Sequence, residues 1–391
     1  MENNTQLTHA FTPHCHPVQT PILSMAAAAS HAGVDAPAAS SPPEWRVARR
    51  GGVEAHTRTH LGEGALWSVR DQCLYWTDIE RCTIHRYVPP AVTEEASLPA
   101  LGSSHEIPGG THTHVQFGSM VGCIALTEMP GQILLAAASG LWLFDWGSLQ
   151  AWLVAPFPES ADGYRFNDGA VTPQGTLLVG TLLLDESKGK GLGTLWEYRC
   201  DPETGEIVQP ARKVLSGLAI PNGIDWSADS KRMFFIDTPR GRVDQFDFSS
   251  SASADHASVL SHERAAFPFV EGEGHPDGLC VDAGDAVWVA AWDGARVTQR
   301  MVPRTQGEGE AKLLRTIALP TGQTTCPCFG GPQLRDLYVT SASRGVDFKK
   351  QPLAGSLFVI HNAGQGKQSF VFKGKLRVDQ TKAVKHTLVV G

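Results

Sequence analysis

The sequence predicts an all-β protein folded as a six-bladed β-propeller. Six similar segments follow one another along the chain, and each contains an apolar strand, a polar turn and a second apolar strand. Asn167, Asn222 and Asp277 stand at the heads of successive repeats 55 residues apart, and Glu63 precedes Asn167 by 104 residues, about twice that spacing. The 40 glycines and 25 prolines suit many short strands joined by turns. A strand-rich period near 50 residues is typical of propellers, in which each repeat forms one four-stranded blade.

The 391 residues are expected to form one domain with two extensions. Residues 1–44 are rich in Ala, Ser, Pro, Thr and His and contain no Lys or Arg, so they lack the features of a secretory signal or a transit peptide. We expect a disordered N-terminal extension, and an alternative start at Met25 stays open. Residues 45–374 would form the propeller and residues 375–391 a C-terminal tail. The triplet His14-Cys15-His16 could hold a metal, although a tail that binds no metal is the favoured interpretation.

The segment from Ala91 to Met120 interrupts the repeat. It carries Pro, Gly and Ser together with the pair His112 and His114, and its composition predicts an extended loop. The two histidines alternate at strand spacing and could reach a functional site. Solvated loop histidines are the favoured alternative.

Charge, cysteine content and motifs exclude several classes of protein. The formal net charge is −7 and no basic block is present, which argues against nucleic acid or an anionic membrane as a partner. The eight cysteines include no CxxC pair, so we expect reduced thiols and a cytoplasmic location. No serine-hydrolase elbow, zinc-protease helix, Walker loop or EF-hand loop is found. No protein partner is predicted.

The residues at the heads of the repeats are the candidate site. Glu63, Asn167, Asn222 and Asp277 each stand next to, or one residue from, a glycine. Equivalent positions of successive blades meet around the central channel of a propeller, so these four side chains should lie together. Carboxylate and amide oxygens are ligands for Ca²⁺, Mg²⁺ or Mn²⁺, and Zn²⁺ also accepts carboxylates. A single Asn-Gly or Asp-Gly is usually only a turn, so the prediction of a central metal site rests on the four together.

Arg165 is a candidate ligand-binding residue. It lies two residues before Asn167, so on an extended segment the two side chains face the same way. Beside a metal, a guanidinium could bind an anionic or hydroxyl-bearing ligand. An ion pair of Arg165 with Asp168 or Asp185 is the alternative.

Five motifs carry a resemblance to a known family. They resemble, in order over residues 50–374, those of the regucalcin/gluconolactonase (senescence marker protein) family. The motifs are LGEGALW, RFNDG, PNGIDWS, HPDGLCVD and FGGPQLRDLYVTSA. The resemblance implies a six-bladed propeller with one divalent metal ion that hydrolyses sugar lactones. Ca²⁺ is the favoured ion, and Zn²⁺, Mn²⁺ and Mg²⁺ stay open.

The same resemblance implies roles for individual residues. Glu63, Asn222 and Asp277 would be metal ligands, and Asp277 would also be the general base. Arg165 and Asn167 would contact the substrate, and Asp185 falls, by a weaker match, where the family has a substrate-facing acid.

The resemblance therefore predicts a metal-dependent sugar lactone hydrolase that acts on a small-molecule lactone. Three alternative functions stay open. The first is a calcium-binding regulatory protein that uses the same site without relevant catalysis. The second is a binding propeller, suggested locally by Tyr75-Trp76-Thr77-Asp78. The third is hydrolysis of another ester on the same scaffold.

Overall fold

The computed structural model describes residues 45–49, 58–90, 110–159, 163–189, 191–250, 257–304 and 309–390. These residues form six antiparallel sheets arranged as the blades of a propeller. The N-terminal extension predicted over residues 1–44 lies outside the described residues. The prediction of an all-β, six-bladed fold is confirmed.

The first three blades follow the chain order, with the earliest strand innermost. Blade 1 contains β2 (Gly62–Ser68), β3 (Cys73–Asp78), β4 (Thr83–Val88) and β5 (Thr111–Gln116). Blade 2 contains β6 (Val121–Leu126), β7 (Gln132–Ala137), β8 (Gly140–Asp145) and β9 (Gln150–Ala155). Blade 3 contains β10 (Tyr164–Val171), β11 (Leu177–Leu183), β12 (Gly193–Tyr198) and β13 (Arg212–Leu218).

The last three blades repeat this order, and the sixth is completed from the start of the chain. Blade 4 contains β14 (Pro221–Trp226), β15 (Arg232–Asp237), β16 (Arg242–Ser250) and β17 (Ser258–Pro268). Blade 5 contains β18 (His275–Val281), β19 (Ala286–Trp292), β20 (Arg296–Met301) and β21 (Lys312–Ala318). Blade 6 contains β22 (Thr324–Gly330), β23 (Asp336–Ser341), β24 (Leu357–Ile360) and, as its outer strand, β1 (Trp45–Arg49). The pairing of β1 with β24 closes the ring through backbone hydrogen bonds between its two ends.

The segment after blade 6 crosses one face of the propeller. We call residues 363–374 the C-terminal strap. The strap receives a backbone hydrogen bond from Ala283 of blade 5 through the carbonyl of Gln365 (2.8 Å), and its Phe372 donates to the carbonyl of Leu126 in blade 2 (2.8 Å). Its Lys367 forms an ion pair with Asp225 of blade 4. The strap therefore ties together blades that are distant in sequence.

The predicted C-terminal tail adds strands to two blades. β25 (Val384–Lys385) pairs with β9, and β26 (Leu388–Val390) pairs with β5. These pairings give blades 1 and 2 a fifth strand and cover edges that would otherwise be open.

The prediction of an extended loop from Ala91 to Met120 is wrong for residues 111–116, which form β5. Residues 91–109 lie outside the described part of the chain. His112 and Val115 of β5 are buried, so the solvated interpretation is also wrong for His112. Residues 111–116 form a strand because they pair with β4 on one side and with β26 on the other.

Apolar side chains fill the spaces between neighbouring blades. Six large clusters of buried residues are found in the described chain, and each joins two adjacent blades. Three fully buried tryptophans, Trp67, Trp226 and Trp288, belong to three of these clusters. This packing fixes the angles between blades and hence the positions of the six inner strands.

The inner strands carry a repeated irregularity at the height of the candidate site. The register with the second strand shifts between Glu63 and Leu66 in β2, and similar shifts occur in β6, β10, β14, β18 and β22. Such bulges redirect side chains. Glycines accompany them, and a Cβ on Gly223 would lie 2.4 Å from the amide nitrogen of Leu279 in the next blade. These glycines allow inner strands of adjacent blades to approach closely around the channel.

Replacing Phe372 by alanine is expected to destabilise the whole propeller. The Phe372 side chain is fully buried in the cluster between blades 2 and 3, so its loss should cost about 3–5 kcal/mol of unfolding free energy. Phe348→Ala is the matched control, because that ring is 45% exposed, and it should cost less than about 1 kcal/mol. Urea denaturation measures both changes. If Phe372→Ala lost as little unfolding free energy as Phe348→Ala, the strap would not be part of the folded core.

Candidate functional site

The four residues at the heads of the repeats lie on the inner strands of four blades. Glu63 is on β2, Asn167 on β10, Asn222 on β14 and Asp277 on β18. All four are buried, with exposed fractions between 5% and 8%. The bulges described above set these positions at one height in the channel.

A chain of hydrogen bonds joins these side chains. Asn167 Nδ2 donates to the carbonyl of Pro221 (2.8 Å) and, at 3.4 Å, to Asn222 Oδ1. Asn222 Nδ2 donates to Asp277 Oδ1 (2.5 Å), and the carboxyl group of Glu63 lies close enough to Asp277 for their charges to interact. The convergence that the repeat spacing predicted is therefore present in the structure.

The two carboxyl groups share a strongly desolvated position. Burial, followed by the charge of Asp277, raises the pKa of Glu63 well above its usual value. Burial, followed by the charge of Asp168, raises the pKa of Asp277 in the same way. Two adjacent buried carboxylates repel each other unless a proton or a cation lies between them.

The donor set fits a hard divalent cation. Glu63 and Asp277 supply negatively charged oxygens and Asn222 supplies a neutral one, which is the chemistry that Ca²⁺ and Mg²⁺ prefer. The charge of the ion would also relieve the repulsion between the two carboxylates. These three residues could hold a metal in the channel.

Arg165 lies against Asn167. Its Nη1 donates to Asn167 Oδ1 (2.6 Å) and to the carbonyl of Phe166 (2.9 Å). Burial lowers the pKa of Arg165 to about 10, and the nearby carboxylates Glu80 and Glu63 oppose this shift. In the described part of the chain, no ion pair joins Arg165 to Asp168 or Asp185, so the alternative role as a simple ion-pair partner is not what the structure displays.

Asp185 lies in the turn that follows β11. Its Oδ1 accepts hydrogen bonds from the backbone nitrogen (3.1 Å) and hydroxyl (2.6 Å) of Ser187, and these bonds lower its pKa. Within the described chain, no hydrogen bond connects it to Arg165 or Asn167. Its role as a substrate contact stays a prediction.

Asp168 is a charged residue of the site that the sequence indicated only as a possible partner of Arg165. It follows Asn167, accepts a hydrogen bond from the backbone nitrogen of Gly169 (2.7 Å), and burial raises its pKa to about 6. Its charge acts on both Glu63 and Asp277. The sequence signal was its position in RFNDG, directly beside a predicted site residue.

A cavity of about 100 Å³ adjoins the site and includes Asp168 in its lining. Its walls come from the inner strands of all six blades, and they include Cys280 of β18 and Cys326 of β22. Residues 367–370 of the C-terminal strap also line it, and Lys367 Nζ lies 2.5 Å from Asp225 Oδ1. The strap therefore covers the channel on this side.

Loop residues from other parts of the propeller lie beside the site, where the charges of Glu80 and Arg344 act on Arg165 and Thr238 contacts Asn222. Glu80 contacts the His60 ring and forms an ion pair with Arg344 at 3.4 Å. Thr238 Oγ1 accepts from Asn222 Nδ2 (3.0 Å) and donates to the carbonyl of Pro276 (2.9 Å). No motif marked these residues, because each lies in a connection between strands and only the folded chain brings them to the site.

In the described part of the chain, no helix is long and apolar enough to cross a lipid bilayer. The described cysteines, which include Cys326 and Cys328, are all free thiols.

The chain is a six-bladed propeller whose inner strands bring buried oxygen-bearing side chains together in the central channel. The chain belongs to the SMP-30/Gluconolactonase/LRE-like family, whose model matches residues 61–343.

Individual relatives extend over most of the chain. Regucalcin of Gallus gallus is 30% identical over 325 residues, which cover 81% of this chain and 96% of the relative. A Bacillus subtilis protein named "Putative sugar lactone lactonase YvrE" is 27% identical, over 82% of this chain and 98% of the relative. The solved structure of a luciferin-regenerating enzyme is 26% identical, covers 81% of this chain and 96% of that chain, and superposes with a TM-score of 0.65.

Proposed function

We propose that this protein is a metal-dependent hydrolase of sugar lactones. The observation that carries the proposal is the buried cluster of Glu63, Asn222 and Asp277 in the channel, in which Asn222 is hydrogen-bonded to Asp277 and the charges of Glu63 and Asp277 interact. Arg165 and Asn167 lie directly beside it. Membership of a family that includes gluconolactonases, and the name of the Bacillus subtilis relative, support the same activity.

Glu63, Asn222 and Asp277 would hold one divalent ion, with Ca²⁺ first and Zn²⁺, Mn²⁺ or Mg²⁺ as the other candidates. When bound, the ion supplies positive charge that polarises a lactone carbonyl and favours the oxyanion formed on attack. The three ligands come from blades 1, 4 and 5, so the rigidity of the propeller would set their geometry.

Asp277 is the proposed general base. Its carboxylate accepts a proton from the water molecule that attacks the carbonyl carbon, and the bond between that carbon and the ring oxygen then breaks. The proton is returned to the departing ring oxygen, so the products are those of adding one water to the lactone. Asn222 orients the base through its bond to Asp277 Oδ1 (2.5 Å).

Arg165 and Asn167 are the proposed substrate contacts. Asn167 is held from two sides, by Arg165 at 2.6 Å and by the carbonyl of Pro221 at 2.8 Å. Donors fixed in this way can bind the hydroxyl groups of a sugar ring and position the carbonyl for attack. Their contribution is orientation, since neither group needs to transfer a proton.

A calcium-binding regulator without relevant catalysis is the second candidate, because the same oxygen ligands can bind an ion without turning over a substrate. The relatives named regucalcin share this chain's family.

A lactone panel separates the two functions. The purified chain is assayed for acid release from glucono-1,5-lactone, from an aromatic lactone and from an organophosphate triester, with Ca²⁺, Zn²⁺, Mn²⁺ or Mg²⁺ in turn. Spontaneous opening in enzyme-free buffer with the same ion is subtracted. We expect turnover of the sugar lactone that exceeds turnover of the other two. Calcium binding with no turnover of any lactone would favour the regulator, and preference for the triester would contradict the substrate class.

A further inference from the structure

We propose that His85, His112 and His114 form a second metal site, on the outer part of blade 1, that takes Zn²⁺ or a similar borderline transition-metal ion. None of these residues belongs to the cluster in the channel. Their strands are the third and fourth of the blade, and the third strand lies about 10 Å from the inner strand that carries Glu63.

The pairing of two strands places the three side chains on one face. His85 of β4 lies directly opposite His114 of β5, and His112 is two residues before His114. Since side chains two apart on a strand face the same way, His112 and His114 both project to the face that carries His85. Trp76 of β3 lies opposite His85 and completes the group from the next strand.

The nitrogen atoms already lie close to a coordinating arrangement. One nitrogen from each of the three rings lies within 4.8 Å of the others. His85 Nδ1 and His112 Nε2 are 3.0 Å apart, and their ring planes differ by 11°. Tetrahedral zinc with ligands at its usual bond length separates nitrogens by about 3.3 Å. The spacing of this pair is therefore close to that of two zinc ligands, and rotation of the three rings would turn their lone pairs toward one ion.

The surroundings provide the support that metal-binding histidines usually have. Thr83 Oγ1 lies 2.8 Å from His85 Nε2, which leaves Nδ1 of that ring toward the other histidines. A hydrogen bond on the far nitrogen fixes the tautomer and orientation of a ligand. The Trp76 ring lies 4.9 Å from that of His85 and 5.2 Å from that of His112, at small interplanar angles, and restricts both.

The chemistry of this cluster differs from that of the channel. Imidazole is a ligand for Zn²⁺, Cu²⁺ and Ni²⁺, whereas the carboxylates and amide of the channel favour harder ions. The two sites should therefore be filled independently by different metals. Three protein ligands leave one coordination position for water or another ligand.

The site adjoins the contact between blades 1 and 6. A small cavity beside His85 and His112 is lined on its other side by Ser341 and by Gly355–Leu357. A metal held here would fix β5 against β4 next to the blade that closes the ring. We therefore expect zinc to stabilise the folded propeller, because it binds the folded state.

Zinc binding to the full chain, produced without a polyhistidine tag, tests the proposal. All proteins carry His14→Ser, Cys15→Ser and His16→Ser to remove the N-terminal triplet, and excess Ca²⁺ is present to fill the channel. Titration against a chromogenic chelator should show one zinc per chain. His112→Gln and His114→Gln should each weaken binding at least tenfold and remove the zinc-dependent rise in melting temperature. Co²⁺ should give the intense visible absorption of a four-coordinate site with three nitrogen ligands, and this absorption should vanish in the same variants.

Two control variants separate this site from other metal binding. His262→Gln alters an exposed histidine on the outer strand of blade 4 and should leave zinc binding unchanged. Asp277→Asn should also leave zinc binding unchanged while removing the channel site. Unaltered zinc affinity in His112→Gln and His114→Gln, or loss of zinc in Asp277→Asn alone, would overturn the proposal. If His112→Gln does not fold, the His114→Gln result decides, because that side chain is more exposed.

Discussion

Asp277→Asn is expected to lower kcat/KM for a sugar lactone by at least about 10³-fold. Loss of a general base alone typically costs 10²- to 10⁴-fold, and this substitution also removes one charged ligand of the ion. The amide keeps nearly the shape of the side chain and can still contact Asn222, so the fold should be retained. Acid release at saturating Ca²⁺ measures the change.

The same variant should not be less stable than the wild type when metal is removed from both. Glu63 and Asp277 are buried side by side, and each has a raised pKa, so replacing one charge by an amide relieves repulsion. The metal-free variant should melt at the same temperature as metal-free wild type or higher, and Ca²⁺ should raise the melting temperature of the wild type alone.

Asp247→Asn is the matched control for this pair of measurements. Asp247 forms an exposed ion pair with Arg264 on the outer strands of blade 4, and its loss should change neither turnover nor the calcium response. Full activity of Asp277→Asn in chelator-treated buffer would contradict both the general base and the ligand assignment.

Gly223→Ala should damage stability and activity together. A Cβ at this position would lie 2.4 Å from the amide nitrogen of Leu279 and 2.9 Å from the carbonyl oxygen of Asp277, and neither backbone atom can move aside freely. The inner strands β14 and β18 would have to separate where they carry Asn222 and Asp277. Overpacking of this kind costs about 1–3 kcal/mol, and a displacement near 1 Å at a catalytic group can cost about 10²-fold in rate.

Gly147→Ala is the control for backbone substitution itself. Gly147 lies in a surface turn where an added Cβ meets only Asp145 Oδ1, at 3.5 Å, so stability should change by less than about 0.5 kcal/mol. Urea denaturation and kcat/KM are measured on both variants. Wild-type turnover in Gly223→Ala would show that close contact of these two strands does not position the site.

The repeat spacing predicted the fold and the meeting point of Glu63, Asn167, Asn222 and Asp277 for one physical reason. Each residue occupies the same place in a structural unit, and units of the same shape arranged in a ring bring equivalent places to the axis. The glycine next to Asn222 was also visible in the sequence. The sequence could not show that Gly223 touches the next blade, because that contact depends on where β18 lies in the folded chain.

Residues that depend on irregular parts of the chain could not be predicted in this way. The β5 strand follows an insertion that disrupts the period, and its partner β26 lies more than 270 residues later. The three histidines of blade 1 meet through the pairing of β5 with β4, which a loop in place of β5 would not make. Glu80 and Arg344 reach the vicinity of Arg165 from loops whose conformation no local pattern specifies.

The most direct test is the rate of glucono-1,5-lactone opening by the wild-type chain, stripped with a chelator and titrated with Ca²⁺. If Glu63, Asn222 and Asp277 hold one catalytic ion, the stripped protein should have no rate above the spontaneous reaction. The rate should then rise and saturate at one equivalent of bound Ca²⁺ per chain. A full rate before any metal is added, or no rate when one equivalent of Ca²⁺ is bound, would contradict the assignment of a metal-dependent lactonase using this ion.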